Sequence, residues 1–540
     1  MRIIMGAAVA ALLAVPAVSQ GAGPDFSAAR VKAHVGFLAD DLLEGRDAGT
    51  RGYDIAARYV AAQYEALGLT PAGPGGSWVQ DVPLQKSTLA DTRGAVTIGG
   101  KRFDNGGDVM FGPSAREASQ AIEAPVVFVG FGMVDPSRGL DDYAGLDVKG
   151  KFVAILSGFP KGMPSDIGAH LAGEKAKFAQ AKGAIGTLSV LTPTSLKAFP
   201  WKRRAAYADA PGYTWVGTDG KAHVEAPGIR TGASLHGPAL EALFSDAPRS
   251  LKRVLAEAEK TGGRPKGFAL TPMVKIERTS GKSIVHSPNV VAMLPGSDPA
   301  LKDEYVLLMG HLDHDGVDPT LEGDDKIYNG AMDNAAGIAT MLEVARAMAT
   351  SATRPKRSIL FAAVTAEEDG LLGADYLARH PVVKDGKVVA VVNLDMPVLT
   401  YDFTDVIAFG AEHSTLGPIV ARAAGLDKVT LSPDPIPEQG VFTRSDHYMF
   451  VRQGVPSVFL VTGYAGAGKA ANEDFEANHY HQVSDDLKVP FDWAAGAKFA
   501  RINYLIAREI ADAPQAPRWY EGSFFGNIFA KDQVKAPAAK

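Results

Sequence analysis

No cysteine occurs anywhere in the 540 residues. That absence excludes disulfides, a lipid-bearing N-terminal cysteine and thiolate metal ligands, so a bound metal has only histidines and carboxylates to rely on. A strong charge of one sign is also missing: 55 Lys plus Arg stand against 61 Asp plus Glu. So mild an acidic excess argues against a nucleic-acid or anionic-membrane partner. Long apolar runs are scarce outside the amino terminus, where Arg2 precedes a stretch from Ile3 to Val15. The stretch is short for a membrane span, and Pro16, Ala17 and Ser19 follow it as residues at a signal-peptidase site do. Residues 1–21 are therefore expected to be a signal peptide, with the mature chain beginning between Gln20 and Gly23. The product would be periplasmic or secreted, with no membrane association after signal removal. The sequence carries no internal repeat and no signal for oligomeric state.

What is present divides along the chain. At this length one compact core is not expected. Residues 24–86 open with apolar positions every three or four residues, broken by glycines between Gly45 and Gly52. From about 87 to 285, short β-type runs such as APVVFVGFG and KFVAILSG alternate with glycines, which predicts a separate β-rich domain with a few helices. After SPNVVAMLPG, the strands YVLLMG, SILFAAV, VVAVVNL and VPSVFLV alternate with Ala-rich helical segments. That alternation predicts a doubly wound α/β domain on a mostly parallel sheet. The expected organisation is a catalytic unit of 22–86 with 286–513, an insert at 87–285, and a Pro- and Ala-rich tail at 514–540 that hugs the surface or moves freely.

In an open α/β sheet, reactive groups gather beyond the carboxyl ends of the strands. Three strands of this chain end in metal-ligand types: YVLLMG runs into His311 and Asp313, SILFAAVTA into Glu367 and Glu368, and VVAVVNL into Asp395. Asp333 follows the NGAM turn at a helix start, and His481 lies in NHYHQVSDD. Singly, each has an ordinary explanation: Asp333 as a helix N-cap, the glutamates as first-turn acids, the histidines as satisfied polar residues. Together they supply what two neighbouring divalent ions need, namely a bridging Asp, one His and one further carboxylate for each ion, and a free carboxylate to take a proton from water. Asp313 is placed to accept the second N–H of the His311 ring and fix its tautomer.

The pieces GHLDHDG, NGAMDNAAG, TAEEDGLLGA, VNLDM, TRSDHYMF and HYHQVSDD together resemble metallopeptidase family 28, the co-catalytic zinc aminopeptidases and glutamate carboxypeptidases. The opening FLADDLLEGRDAGTRG is similar to members carrying an inserted protease-associated, or apical, domain, which fits 87–285 by position. The resemblance implies the zinc aminopeptidase fold and two zinc ions. It implies His311 and Asp395 on one ion, Glu368 and His481 on the other, and Asp333 between them. It makes Glu367 the general base and Tyr480 the donor to the developing oxyanion. Ser445, Asp446 and His447 match a supporting segment, and Arg444 is a candidate substrate contact.

The implied activity is hydrolysis of a terminal peptide bond in a short peptide. The amino-terminal end is favoured because the motifs are rich in carboxylates and have only Arg444 and Arg452 nearby. A carboxypeptidase of the same family is the alternative. A non-catalytic receptor on this fold would have lost metal ligands that this chain keeps, and a glutaminyl cyclase would need fewer. GYAGAGKA (463–470) imitates a phosphate loop but carries Ala470 where a hydroxyl is required, so a glycine-rich site rim is the expectation. The run Lys202, Arg203, Arg204 is read as a solvated face.

Overall fold

The computed structural model describes residues 24–90, 94–383 and 385–538. The expected signal peptide and its cleavage site lie outside the described residues.

Four strands form the centre of the larger sheet in the order Ser358–Val364, Glu304–His311, Lys387–Leu394, Ser457–Thr462, all parallel. Their sequences are near-continuous Val, Leu, Ile and Ala because both faces are covered. In Glu304–His311, Val306 and Leu308 enter one core while Leu307 and Met309 enter the other. The first core is closed by the helices Ala28–Leu38, Arg51–Ala66, Gly337–Ala349 and Trp493–Asp512, joining the start of the chain to its second half. The second is closed by Leu372–Arg379, His447–Val451 and Phe524–Phe529. Antiparallel strands flank the parallel centre, so the sheet is mixed at its edges. Because the central strands run the same way, Val364, His311, Leu394 and Thr462 end at a common edge.

A second sheet with its own core lies within the segment expected as an insert. It holds the parallel strands Phe152–Leu156, Gly186–Val190 and Thr231–Leu235, so this region is itself α/β in part, beyond the β-rich character expected. One strand, Phe268–Leu294, belongs to both sheets. Together with Val79–Leu89 it forms a ribbon between the two bodies, pairing Ser87 with Lys282 and Leu84 with Val285. The boundaries expected at 86/87 and 285/286 fall inside this ribbon.

The tail, expected to hug the surface or to move freely, is docked by buried aromatics. Trp519 is 1% exposed and donates its indole N–H to the Gly454 carbonyl, and Phe525 is fully buried. Its aromatic side chains bury enough apolar surface to dock it. Rings of Phe524, Phe525 and Phe529 surround His170, on the helix Ser165–Gly173 of the smaller body. The His170 Nδ1 lies 2.5 Å from the Tyr448 hydroxyl of the larger one. Among the described residues no helix is long and apolar enough to cross a membrane.

Candidate metal centre

The common strand edge brings all five expected ligand residues together. Asp333 is central. Its Oδ1 lies 3.2 Å from His311 Nε2, which is also 3.1 Å from Asp395 Oδ1. Its Oδ2 lies 3.5 Å from His481 Nε2, which is also 3.3 Å from Glu368 Oε2. The two carboxylate oxygens thus face two separate His–carboxylate pairs. Ligands held tetrahedrally about 2.0–2.2 Å from a zinc ion stand about 3.3–3.5 Å apart, so the observed separations fit two such ions.

The hydrogen bonds around the two imidazoles sharpen this. The His311 Nδ1–H donates to the main-chain carbonyl of Asp313 at 3.1 Å, which leaves Nε2 a lone pair directed at two carboxylates. Such an arrangement needs a cation between the partners. Burial works against a charged His311 ring, yet Asp395, Glu367 and Asp333 raise its pKa well above the usual value, because a proton can stand where the cation belongs. His481 repeats the pattern. Its Nδ1 lies 3.3 Å from Asp315 Oδ2, and despite burial its pKa is raised to about 10 by Asp333 and Glu368.

The atom that orients His311 is the carbonyl of Asp313, not its carboxylate. The side chain turns the other way, accepting the Glu368 amide at 3.3 Å, and so supports the turn that carries the glutamate pair. Residue spacing named the residue and left the oxygen open.

Local backbone explains how the ligands converge. Ala366, Met396 and His481 all have left-handed φ of 51°, 41° and 52°, at the turns that carry Glu367, Asp395 and His481 itself. Such conformations cost about 1–3 kcal/mol each in non-glycine residues and persist only where the surroundings enforce them. Asp333 sits in the irregular turn Ala331–Ala336, ahead of the helix Gly337–Ala349. That helix has no side-chain cap, so the N-cap explanation of Asp333 fails. The turn is held by Asp485, whose carboxylate accepts the amides of Met332 at 2.9 Å and Asp333 at 3.0 Å. Asn334 ties it to the next strand, donating to Leu394 O and accepting the Met396 amide.

Several supporting residues escaped the sequence. His314 Nδ1 lies 2.8 Å from Glu368 Oε1, leaving Oε2 for His481, and Asp315 and Asp485 act as described. All three stood inside GHLDHDG and HYHQVSDD, whose density of ligand types was the available signal. Of the TRSDHYMF segment, Ser445 donates to Asp395 Oδ2 at 2.6 Å and is itself held by Asn393. His447 instead packs among the rings of Phe442 and Phe459.

Glu367 and Tyr480 line the same cavity. Burial first, then Glu368 and Asp395, raise the Glu367 pKa well above the ordinary carboxylate range. Neither the Glu367 carboxylate nor the Tyr480 hydroxyl has a hydrogen-bond partner among the described residues. The cavity is lined by five carboxylates, Asp333, Glu367, Glu368, Asp395 and Glu476, and by one guanidinium, Arg444. Arg452 is engaged elsewhere by Glu174 and Glu225, and Arg204 by main-chain carbonyls of its own segment. The glycine-rich 463–470 loop spends its Gly463 and Ala465 amides on Asp405, which disposes of the phosphate-loop alternative.

Residues 289–507 match the model of peptidase family M28. A "Probable zinc metalloprotease" of Pyricularia oryzae is 32% identical over 267 residues, covering 43% of this chain and 51% of that protein. A "probable leucine aminopeptidase 2" of Aspergillus oryzae is 29% identical, covering 37% of this chain and 40% of its own length. The chain thus spans about half the length of these curated relatives, or less. The aminopeptidase from Aneurinibacillus sp. strain AM-1 aligns over 96% of this chain and 98% of its own, with a TM-score of 0.51 at 17% identity, a likeness of fold.

Proposed function

Residues 289–507 resemble peptidase family M28, and from that premise we propose that this protein is a two-zinc exopeptidase that removes the amino-terminal residue of short peptides. The observation that carries the proposal is the division of the Asp333 carboxylate between two His–carboxylate pairs. His311 and Asp395 would hold one ion, His481 and Glu368 the other, with Asp333 shared. Two zinc ions so held supply the Lewis acidity that makes a water nucleophilic near neutral pH and polarises the scissile carbonyl. The rest falls to the chain's own residues. Glu367, unpartnered and beside both ligand groups, takes the water's proton and returns it to the leaving amine. Burial raises the Tyr480 phenol further above its usual value, so it stays protonated and can donate to the oxyanion. Asp315 and the Asp313 carbonyl keep both imidazoles in the ligating tautomer, and Ser445 holds Asp395 in place.

The preference for the amino end follows from the cavity's charges. A terminal carboxylate is best held by several guanidinium or amide donors, and Arg444 is the only Lys or Arg of the lining. An ammonium finds carboxylates throughout. Acetylating the amino terminus of a cleaved peptide is expected to stop hydrolysis, whereas amidating its carboxyl terminus is expected to change the rate little. The reverse pattern, measured by product analysis, would move the protein to the carboxypeptidases.

A further inference from the structure

The cavity combines three kinds of side chain. The ligand cluster, the apolar side chains Ile407, Phe409, Phe459 and Val461, and the charged Glu476 and Arg444 all line it. The ligands and apolar walls are largely buried, whereas Glu476 and Arg444 are exposed. Glu476 belongs to the helix Gly468–Asn478, on the same face as Asn472 one turn before it, and Tyr480 follows one turn later. All three line the cavity. Tyr480 itself lies just past the end of this helix, beyond the C-cap His479.

Three further facts concern Glu476. Its carboxylate has no ion-pair or hydrogen-bond partner among the described residues. The nearby Lys469 is turned toward Glu473 instead, at 3.7 Å. Burial, with Glu476 and Glu473 next, pushes the Tyr464 phenol up to about 12, which places Tyr464 beside Glu476 in the same cavity. Arg444, on the opposite loop, approaches only Gln439, at 3.5 Å, and stays beyond ion-pair distance of Glu476.

Resting on the aminopeptidase reading above, we infer that Glu476 is a specificity residue, the counter-charge for an amino-terminal Lys or Arg whose aliphatic stem lies along Ile407, Phe409 and Val461. A cavity with apolar walls and one exposed, unpaired carboxylate suits a side chain that is apolar along its length and cationic at its tip. A purely aliphatic side chain would fill the walls and leave the carboxylate unused. The partial exposure of Glu476 and the Arg444 charge keep the gain modest, near the upper range of exposed ion pairs.

The test compares Lys and norleucine anilides, which share a four-carbon stem and differ in the terminal ammonium. The zinc-loaded wild type is expected to favour Lys in kcat/KM. Glu476→Gln is expected to reduce the Lys-to-norleucine ratio by about two- to fivefold. Glu476→Lys should invert the preference, and added salt should erode it in the wild type only. An unchanged ratio in Glu476→Gln, an equal loss on both substrates, or a wild type that prefers norleucine overturns the assignment while leaving the aminopeptidase reading intact. Failure of the wild type to cleave either free-amino anilide removes that reading and this inference with it.

Discussion

Glu367 and Glu368 are neighbours in sequence with different surroundings, and a pair of substitutions separates them. Glu368 is bound on both oxygens, by His314 and toward His481, whereas Glu367 has neither contact. Glu367→Gln is expected to lower kcat by at least about 10²–10⁴-fold, the usual range for acid–base catalysis, with two zinc ions still bound per chain. Glu368→Gln is expected to lose one ion as well. Elemental analysis of reloaded protein alongside kcat decides it; equal metal loss in both variants, or one ion with full activity in the wild type, sinks the assignment. At this scale the sequence was informative about which residues matter, because ligand types at strand ends are few and the strands are easily found. It was silent on which atom acts. Nothing in His-x-Asp spacing distinguishes the Asp313 carbonyl from its carboxylate, and Asp315 becomes a partner of His481 only through a fold that closes 166 positions of chain.

The turn and helix that present Asp333 depend on a glycine. A Cβ on Gly337 would stand 2.0 Å from Asn334 Oδ1 and 2.5 Å from the Leu394 carbonyl, neither of which can retreat without moving Asp333 or Asp395. Gly337→Ala is therefore expected to destabilise by about 1–3 kcal/mol, the usual cost of overpacking, and to weaken zinc retention. Thermal melts with and without a chelator measure both effects, and a variant with wild-type zinc affinity would show that the turn tolerates displacement. The elements themselves were legible from period and composition: apolar runs gave the central strands, and the Ala-rich segment gave the helix. The displaced helix start was not, since Asp before an Ala-rich run looks like a cap until Asp485 is seen holding the turn. How the tail docks was not legible for a similar reason, the five large aromatics of 514–540 being diluted among Pro, Ala and Gly.

At the scale of the molecule, two bodies meet along a seam with a buried histidine in it. His170 is 8% exposed, and burial lowers its pKa from 6.5 to about 4. A base with a depressed folded pKa contributes fully above its unfolded value of about 6.5 and loses that contribution as pH falls toward about 4. The shift corresponds to at most about 3 kcal/mol, so acid should loosen the seam in that window. His170→Gln, which can still bond Tyr448, is expected to flatten the pH dependence of the urea midpoint between about 4 and 6.5. His447, whose pKa burial lowers to about 3, remains in both proteins as a shared background. Identical slopes for wild type and variant would exclude the seam as the acid-sensitive element.

The strand Phe268–Leu294 is 27 residues long and is paired along much of its middle to Val79–Leu89. Two hydrogen-bonded strands act as a torsion bar: they twist readily about their common axis but resist folding over as a slack tether would. The smaller body is therefore joined to the larger by a paired ribbon rather than by two loose linkers. At its far end the ribbon is laced to Ser358–Val364, the strand that delivers Glu367 and Glu368. The twist of that ribbon is thus set directly against the strand leading into Glu367, the proposed general base.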